Sequence, residues 1–170
     1  MSEITLHFQV AGGDVLHRQL GRVALDLTDF TQPLRESGEV IYDAIRDEFA
    51  TQGQTQTPKW PALSPRYAAW KARHYPGKPM LRMTDALMRS ITGRGAQGAV
   101  YELSTHTLTL GTDIETPTGG WNLGLLHQLG TRRMPARPII RLSKGTRTRI
   151  QTIFQRWLQR KAAEAGLAVT

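Results

Sequence analysis

The sequence predicts an α+β fold: a small antiparallel sheet packed by several α-helices, ending in an amphipathic basic helix. Three observations carry that prediction. Ile4, Leu6, Phe8 and Val10 alternate with polar neighbours at the period of a strand, and two further alternating runs, 99–104 and 107–112, are separated only by Ser104-Thr105-His106. Ile41, Ala44, Ile45 and Phe49 fall on one helical stripe. Ile150, Ile153, Phe154, Trp157 and Leu158 repeat the i, i+3, i+4, i+7, i+8 pattern of a second one. At 170 residues the chain suits a single domain, 1–170, long enough to bury a core.

The elements follow in order. After the first strand, Gly12-Gly13-Asp14 breaks the alternation, and Asp14 is placed to cap a helix through Leu16, Leu20, Val23, Leu27 and Phe30. Pro33 fits the first position of the next helix, which Gly53 ends. Asp43, Asp47 and Glu48 lie largely off its apolar stripe and give it an acidic outer face. Residues 53–63 read as a loop. Ser64-Pro65 reads as a cap followed by proline at the first helical position, opening a short helix with Tyr67 and Trp70 that Pro76-Gly77-Lys78-Pro79 stops. Thr84 or Asp85 can cap another short helix through Leu87, Met88 and Ile91. The hairpin 99–112 is followed by a loop at 115–121 and an apolar helix through Trp121, Leu125, Leu126 and Leu129, closed by Gly130. Ser143 caps the last helix, and Gly166 stands where its C-terminal glycine is expected.

The composition excludes several function classes. With no cysteine there is no disulfide scaffold, thiolate metal site or cysteine nucleophile. The start lacks the basic and apolar regions of a signal peptide, and no apolar run approaches a membrane span, so neither is expected. The formal net charge of +8 is unevenly distributed. Residues 1–58 carry four Lys/Arg against nine Asp/Glu, a net of −5, and residues 59–94 carry eight bases and one acid, a net of +7. Residues 95–115 hold three acids and no base, whereas 116–163 hold ten bases and no acid. Blocks of opposite sign either interleave and cancel, face nucleic acid, or join identical subunits head to tail.

Motifs of chemistry are sparse. Gly93-Arg94-Gly95-Ala96-Gln97-Gly98 matches the dinucleotide fingerprint letter for letter, but it follows a helix and opens a strand, the reverse of what a pyrophosphate site requires. The five histidines are scattered, and none has a His, Asp or Glu at helical ligand spacing. His127 is expected as a partly buried histidine bonded to backbone. No nucleophile elbow, phosphate-loop lysine or paired-carboxylate signature is present. The aromatic–basic stretch 59–75 either offers a stacking surface for single-stranded nucleic acid or uses Trp60, Tyr67 and Trp70 to anchor a loop and helix on the core, and the i, i+3 spacing of Tyr67 and Trp70 favours the anchor. In 127–142, two prolines stiffen the chain and Arg132, Arg133, Arg137 and Arg141 project from an extended arm suited to bidentate contacts with carboxylates or phosphates.

Three segments, taken in order, resemble the phage virion morphogenesis family, the tail-completion and neck proteins of Mu-like and P2-like tailed phages. The first is Phe49-Ala50-Thr51-Gln52-Gly53 with Trp60-Pro61-Ala62-Leu63-Ser64-Pro65 and Tyr67-Ala68-Ala69-Trp70-Lys71. The second is Leu81-Arg82-Met83-Thr84-Asp85-Ala86-Leu87-Met88-Arg89-Ser90-Ile91. The third joins His127-Gln128-Leu129-Gly130 to Met134-Pro135-Ala136-Arg137-Pro138. Asp85 stands where the family usually has glycine, Leu129 where it has an aromatic, and Leu123-Gly124 where Tyr-Ala is common. The residues carried over are Trp60, Tyr67, Trp70, Lys71, Thr84, Leu87, Ser90, His127, Gln128, Gly130, Pro135, Arg137 and Pro138.

The resemblance implies a structural virion protein, assembled in the host bacterial cytoplasm and located in the neck or tail. It implies a homo-oligomeric ring, six copies being expected with twelve left open, between head–tail connector and tail tube or terminator proteins. It implies no catalysis, cofactor, metal, membrane or small-molecule substrate. Ring closure needs two different complementary faces on each subunit. Asp43, Asp47 and Glu48 on the acidic helix, and Arg132, Arg133, Arg137 and Arg141 in the basic segment 130–161, are the expected interface, with channel DNA as another possible contact of the arginines. The alternative is a nucleic-acid-binding module built on the same basic segment.

Overall fold

The computed structural model describes residues 4–9, 27–54 and 58–164. Among these residues it has five helices and a three-stranded antiparallel sheet, the α+β class the sequence predicts. The elements are β1 (Ile4–Gln9), α1 (Thr31–Thr51), α2 (Pro65–His74), α3 (Ala86–Thr92), β2 (Ala99–Leu103), β3 (Thr107–Thr112), α4 (Leu123–Leu129) and α5 (Lys144–Glu164). The sheet order is β1-β3-β2, so the predicted hairpin strands are neighbours. The chain divides into two compact units; of the described residues, one takes 4–6, 42–54, 58–101 and 110–141, and the other takes 7–9, 27–41, 102–109 and 142–164.

The predicted helix from Asp14 to Phe30 falls mostly outside the described residues, and its described end, 27–30, is not helical. Leu27 and Phe30 are buried there as irregular chain, and the Phe30 N–H donates to the Thr105 carbonyl at 2.7 Å. Helix α1 begins two residues before the predicted Pro33, because Asp29 Oδ1 accepts the Thr31 N–H at 2.8 Å and caps the turn. Pro33 then sits within the first turn, where a missing N–H costs no intrahelical bond. In the same unit Phe30 lies 4.9 Å from Trp157, 6.3 Å from Phe154 and 5.8 Å from His106, ring centroid to ring centroid. Of the predicted stripe on α5, Ile150 and Trp157 are buried and Ile153, Phe154 and Leu158 are half-buried. Ser143 Oγ accepts the Thr146 N–H at 3.0 Å, the cap expected from sequence, while Gly166 lies outside the described residues.

The other unit buries Tyr42, Ile45, Phe49, Trp60, Leu87, Ile91, Leu110 and Ile139. Phe49 meets Trp60 edge to face at 6.0 Å. Gly53, at φ +72°, ends α1 beneath that indole: a Cβ there would stand 2.3 Å from Trp60 Cγ, so only glycine fits. Ser64 caps α2 through a 3.4 Å bond from the Tyr67 N–H, with Pro65 as its first residue, as predicted. Helix α4 starts later than predicted, because Asn122 Oδ1 caps the Leu125 N–H at 2.8 Å while its Nδ2 donates to the Thr112 carbonyl at 2.7 Å. Trp121 is thereby left outside the helix and 67 % exposed, and Leu129 at its far end is 70 % exposed. The glycine loop 93–98 links α3 to β2, the order that already argued against a nucleotide site.

Candidate functional site

Six of the motif residues, Trp60, His127, Gln128, Gly130, Arg137 and Pro138, converge, and what they build is a brace within one unit. The Trp60 Nε1–H donates to the Pro138 carbonyl at 2.8 Å. The Arg137 Nε and a terminal guanidinium nitrogen each donate at 2.9 Å, to the carbonyls of Pro61 and Ala62. The Arg137 backbone N–H donates to the His127 carbonyl at 2.7 Å. Gln128 uses both ends of its amide: Oε1 accepts from Ile139 and Ile140 at 2.9 and 3.0 Å, and Nε2 donates to the Ile140 carbonyl at 3.0 Å. Gly130, at φ +74°, turns the chain so tightly that a Cβ would lie 2.6 Å from the Ala136 nitrogen. Segments about seventy-five residues apart are thus joined by a few side chains aimed at backbone carbonyls, whose hydrogen bonds would otherwise go unmade.

Lys71, Asp85 and His127 are among the titratable groups perturbed around this framework. Lys71 is buried, and its Nζ donates to the Lys78 carbonyl at 2.8 Å and to that of Pro79; burial lowers its pKa. Asp85 takes the capping position of α3 with φ +62°, the left-handed conformation in which glycine is at ease, and its side chain makes no cap. Thr84 Oγ1 instead accepts the Ala86 N–H at 3.4 Å, while the Asp85 carboxylate pairs with Arg82 at 2.6 Å and Lys78 at 3.0 Å. The hydrogen bonds from Arg82 and then Lys78 hold its pKa down to about 2. His127 departs from expectation: its ring makes no backbone bond at Nδ1, which is buried without a partner. Burial, followed by the charge of Arg137, holds its pKa down to about 4. Ser90 Oγ shares a 2.7 Å hydrogen bond with Thr112 Oγ1, and Leu87, three residues earlier on α3, is buried.

The charged residues expected at an interface divide. Asp43 and Asp47 are exposed on α1, and Asp43 pairs with Arg46 at 3.0 Å. Glu48 is not on that acidic face: it is 2 % exposed, since its position on the helix is adjacent to Phe49 and turned into the unit. Arg132 and Arg133 are exposed at the tip of a tight turn closed by the Thr131–Met134 bridge, so this part of the arm is folded back rather than extended. Arg137 does not project at all; it is 3 % exposed and spent on the brace. Arg141 is half-buried. Pro135 is exposed between the turn and the brace.

At one place the favoured reading of the sequence, the anchor, does not hold for all three aromatics. Trp60 is anchored in the core as expected, but Tyr67 and Trp70 are not: they are 41 % and 40 % exposed. Their rings stack at 5.5 Å and 21°, and Trp70 stacks on His74 at 4.6 Å and 24°, forming a ladder along α2. The available signal was the rest of that helix, which offers Pro65, three alanines, Lys71, two arginines and His74 and so has no apolar stripe to bury.

Among the described residues no group of three or more His, Asp or Glu could hold a metal ion, and no helix is long and apolar enough to cross a membrane. The phage virion morphogenesis family model matches residues 13–159, most of the chain. No curated protein and no solved structure matches. The chain belongs to the phage virion morphogenesis family, and its role lies in building a phage particle.

Proposed function

We propose that this member of the phage virion morphogenesis family is a non-enzymatic ring subunit of the particle's neck, present in six copies, that completes the tail and joins it to the head. Its neighbours are then further copies of itself, a head–tail connector protein on one side and a tail tube or terminator protein on the other. The observation that carries this reading is that one chain exposes both an acidic and a basic surface. Glu36, Glu39, Asp43 and Asp47 line the exposed side of α1, and exposed Arg132 and Arg133 stand on the basic segment. A subunit with two unlike, complementary faces assembles head to tail and closes when its rotation allows. Of the motif residues, Trp60, Gln128 and Arg137 fit the same reading, since they brace the subunit internally and leave recognition to its surface.

Native mass measurement of the purified chain, with images of particles in which it is labelled, tests the proposal. A closed oligomer of six copies located at the head–tail junction is the expected result. A monomer at all accessible concentrations, or label found away from the neck, overturns it.

A second reading, contact with nucleic acid, is favoured by one observation. Arg149, Arg156 and Arg160 are exposed at i, i+7 and i+11 on one flank of α5, with no ion pair among the described residues. Three phosphate contacts would give a log–log salt slope steeper by about 2.7 than that of the triple glutamine variant. Equal slopes, or no duplex binding at low salt, remove this reading.

A further inference from the structure

We infer that the aromatic ladder of α2 and the arginines beside it form the surface on which the acidic ridge of α1 from a second copy of this chain docks. The inference rests on the ring reading above, and it puts Arg66 and Arg73, in place of Arg132 and Arg133, opposite the α1 ridge at the subunit contact.

Two features of α2 identify it as an unfilled surface. Tyr67 and Trp70 leave about two-fifths of their area in solvent, on a helix where the residue turned inward is a lysine. Large aromatic rings of this kind dominate the energetics of protein interfaces when a partner covers them. Beside the ladder, Arg66 and Arg73 are exposed seven residues apart, hence on one row of the helix, and neither makes an ion pair among the described residues. The surface therefore offers an apolar strip edged by two uncompensated cations. An acidic partner with a straight row of carboxylates matches it.

This chain carries such a row. Glu36, Glu39, Asp43 and Asp47 are exposed on α1 at the i, i+3, i+7, i+11 spacing of a single helical face. At 1.5 Å per residue the row is about 16 Å long, and the ten residues of α2 span about 15 Å. Two bases flank the row of four acids: Arg35, exposed four residues before Glu39, and Arg46, held by Asp43 at 3.0 Å and by the Thr92 carbonyl at 3.0 Å. The row thus keeps a negative excess facing solvent. Complementary charge fixes register and rejects wrong partners, while the ring edges supply the desolvated centre.

The geometry of the ladder argues against nucleic acid at this surface. Base stacking needs an open ring face. Here the faces are turned on one another at 5.5 and 4.6 Å, so the ladder presents mainly its edges.

The test uses charge reversal on the full-length chain, read by light scattering after size exclusion over a concentration series. Arg66→Glu with Arg73→Glu should raise the concentration needed for assembly by at least about tenfold. Glu36→Lys with Asp47→Lys should do the same, and the chain carrying all four changes should recover wild-type mass, because every contact in a head-to-tail ring then meets its reversed counterpart. Trp70→Ala, at a half-exposed site, should weaken assembly with the circular dichroism spectrum unchanged. If wild type is an oligomer and Arg66→Gln with Arg73→Gln leaves its mass unaltered at every concentration, this inference fails while the ring stands. If the four-change chain stays dissociated although each pair alone dissociates and all chains are folded, the two surfaces do not meet each other and the inference fails. A monomeric wild type removes the ring reading itself. Loss of duplex or single-strand binding in the Arg66→Gln, Arg73→Gln chain without loss of mass overturns it in favour of a nucleic-acid surface.

Discussion

Changing His127 to Leu should remove a large part of the protein's sensitivity to mild acid. The imidazole has a buried Nδ1 with no hydrogen-bond partner, and the Arg137 guanidinium is its electrostatic neighbour. Both circumstances oppose protonation: the ring would lose its hydration and gain a like charge. Its pKa therefore falls from 6.5 to about 4 on folding. Above pH 6.5 the ring is neutral in both states and the full stability is present. Between 6.5 and 4 the unfolded chain takes up a proton that the folded chain refuses, so stability is lost as pH falls and the loss levels off below the folded value. At 1.36 kcal/mol per pKa unit, the whole window is worth about 3 kcal/mol. Urea unfolding at pH 7.5, 6.0, 5.0 and 4.0 measures it, with the variant as reference so that the carboxylates, common to both proteins, cancel in the difference. The stability curves of wild type and His127→Leu should converge, or cross, by about 3 kcal/mol on going from pH 7.5 to 4.0. Parallel curves would refute the reasoning, since a ring that titrates alike in both states is neither desolvated nor repelled.

Three further substitutions probe the framework. Gly53→Ala should destabilise by about 3 kcal/mol or more in chemical denaturation, from a left-handed φ that penalises a Cβ and a methyl forced onto the Trp60 indole. Arg137→Lys should cost about 1–3 kcal/mol despite retaining the charge, because an ammonium cannot serve the Pro61 and Ala62 carbonyls through one planar fork. Trp157→Ala, at a 2 % exposed site packed 4.9 Å from Phe30, should cost about 3–5 kcal/mol and lower the thermal midpoint accordingly.

Where the sequence was legible, a local rule and the tertiary structure asked for the same thing. Ser64-Pro65 starts α2 and Ser143 starts α5 because a capping hydroxyl and an N-terminal proline act on the nearest turn, whatever the rest of the chain does. The hairpin at 99–112 follows from alternation in the same way. Asp29, by contrast, caps α1 ahead of the more conspicuous Pro33, and Asn122 starts α4 only where its amide also reaches the Thr112 carbonyl. The candidate site was read least well for charged residues. Arg137 and Glu48 are of types that belong outside, and both are buried, Arg137 because distant carbonyls at 61 and 62 need its donors. No pattern within ten residues of Arg137 displays those carbonyls. Tyr67 and Trp70 failed in the opposite direction, since apolar rings at helical spacing are read as core and here are surface.

Self-assembly constrains what the remaining charge can be for. Whatever faces join, a homo-oligomer made of chains at +8 keeps eight positive charges per copy, because every carboxylate used at a contact is drawn from the same chain as the cation it meets. The acidic ridge of α1 can neutralise at most a few of the exposed arginines, and Asp43 is already shared with Arg46. Two separate demands therefore act on the basic residues. Those with a carboxylate of matching spacing, Arg66 and Arg73, can be satisfied by another copy. The row on α5 has no acid of its own helix to neutralise it, since Glu164, the only acid described there, is paired with Lys161 at 2.9 Å. A ring of such subunits would carry a field of one sign along α5, which attracts polyanions at long range and weakens steeply with salt. The net charge thus says little about how copies bind each other and a good deal about what the assembled ring would still bind.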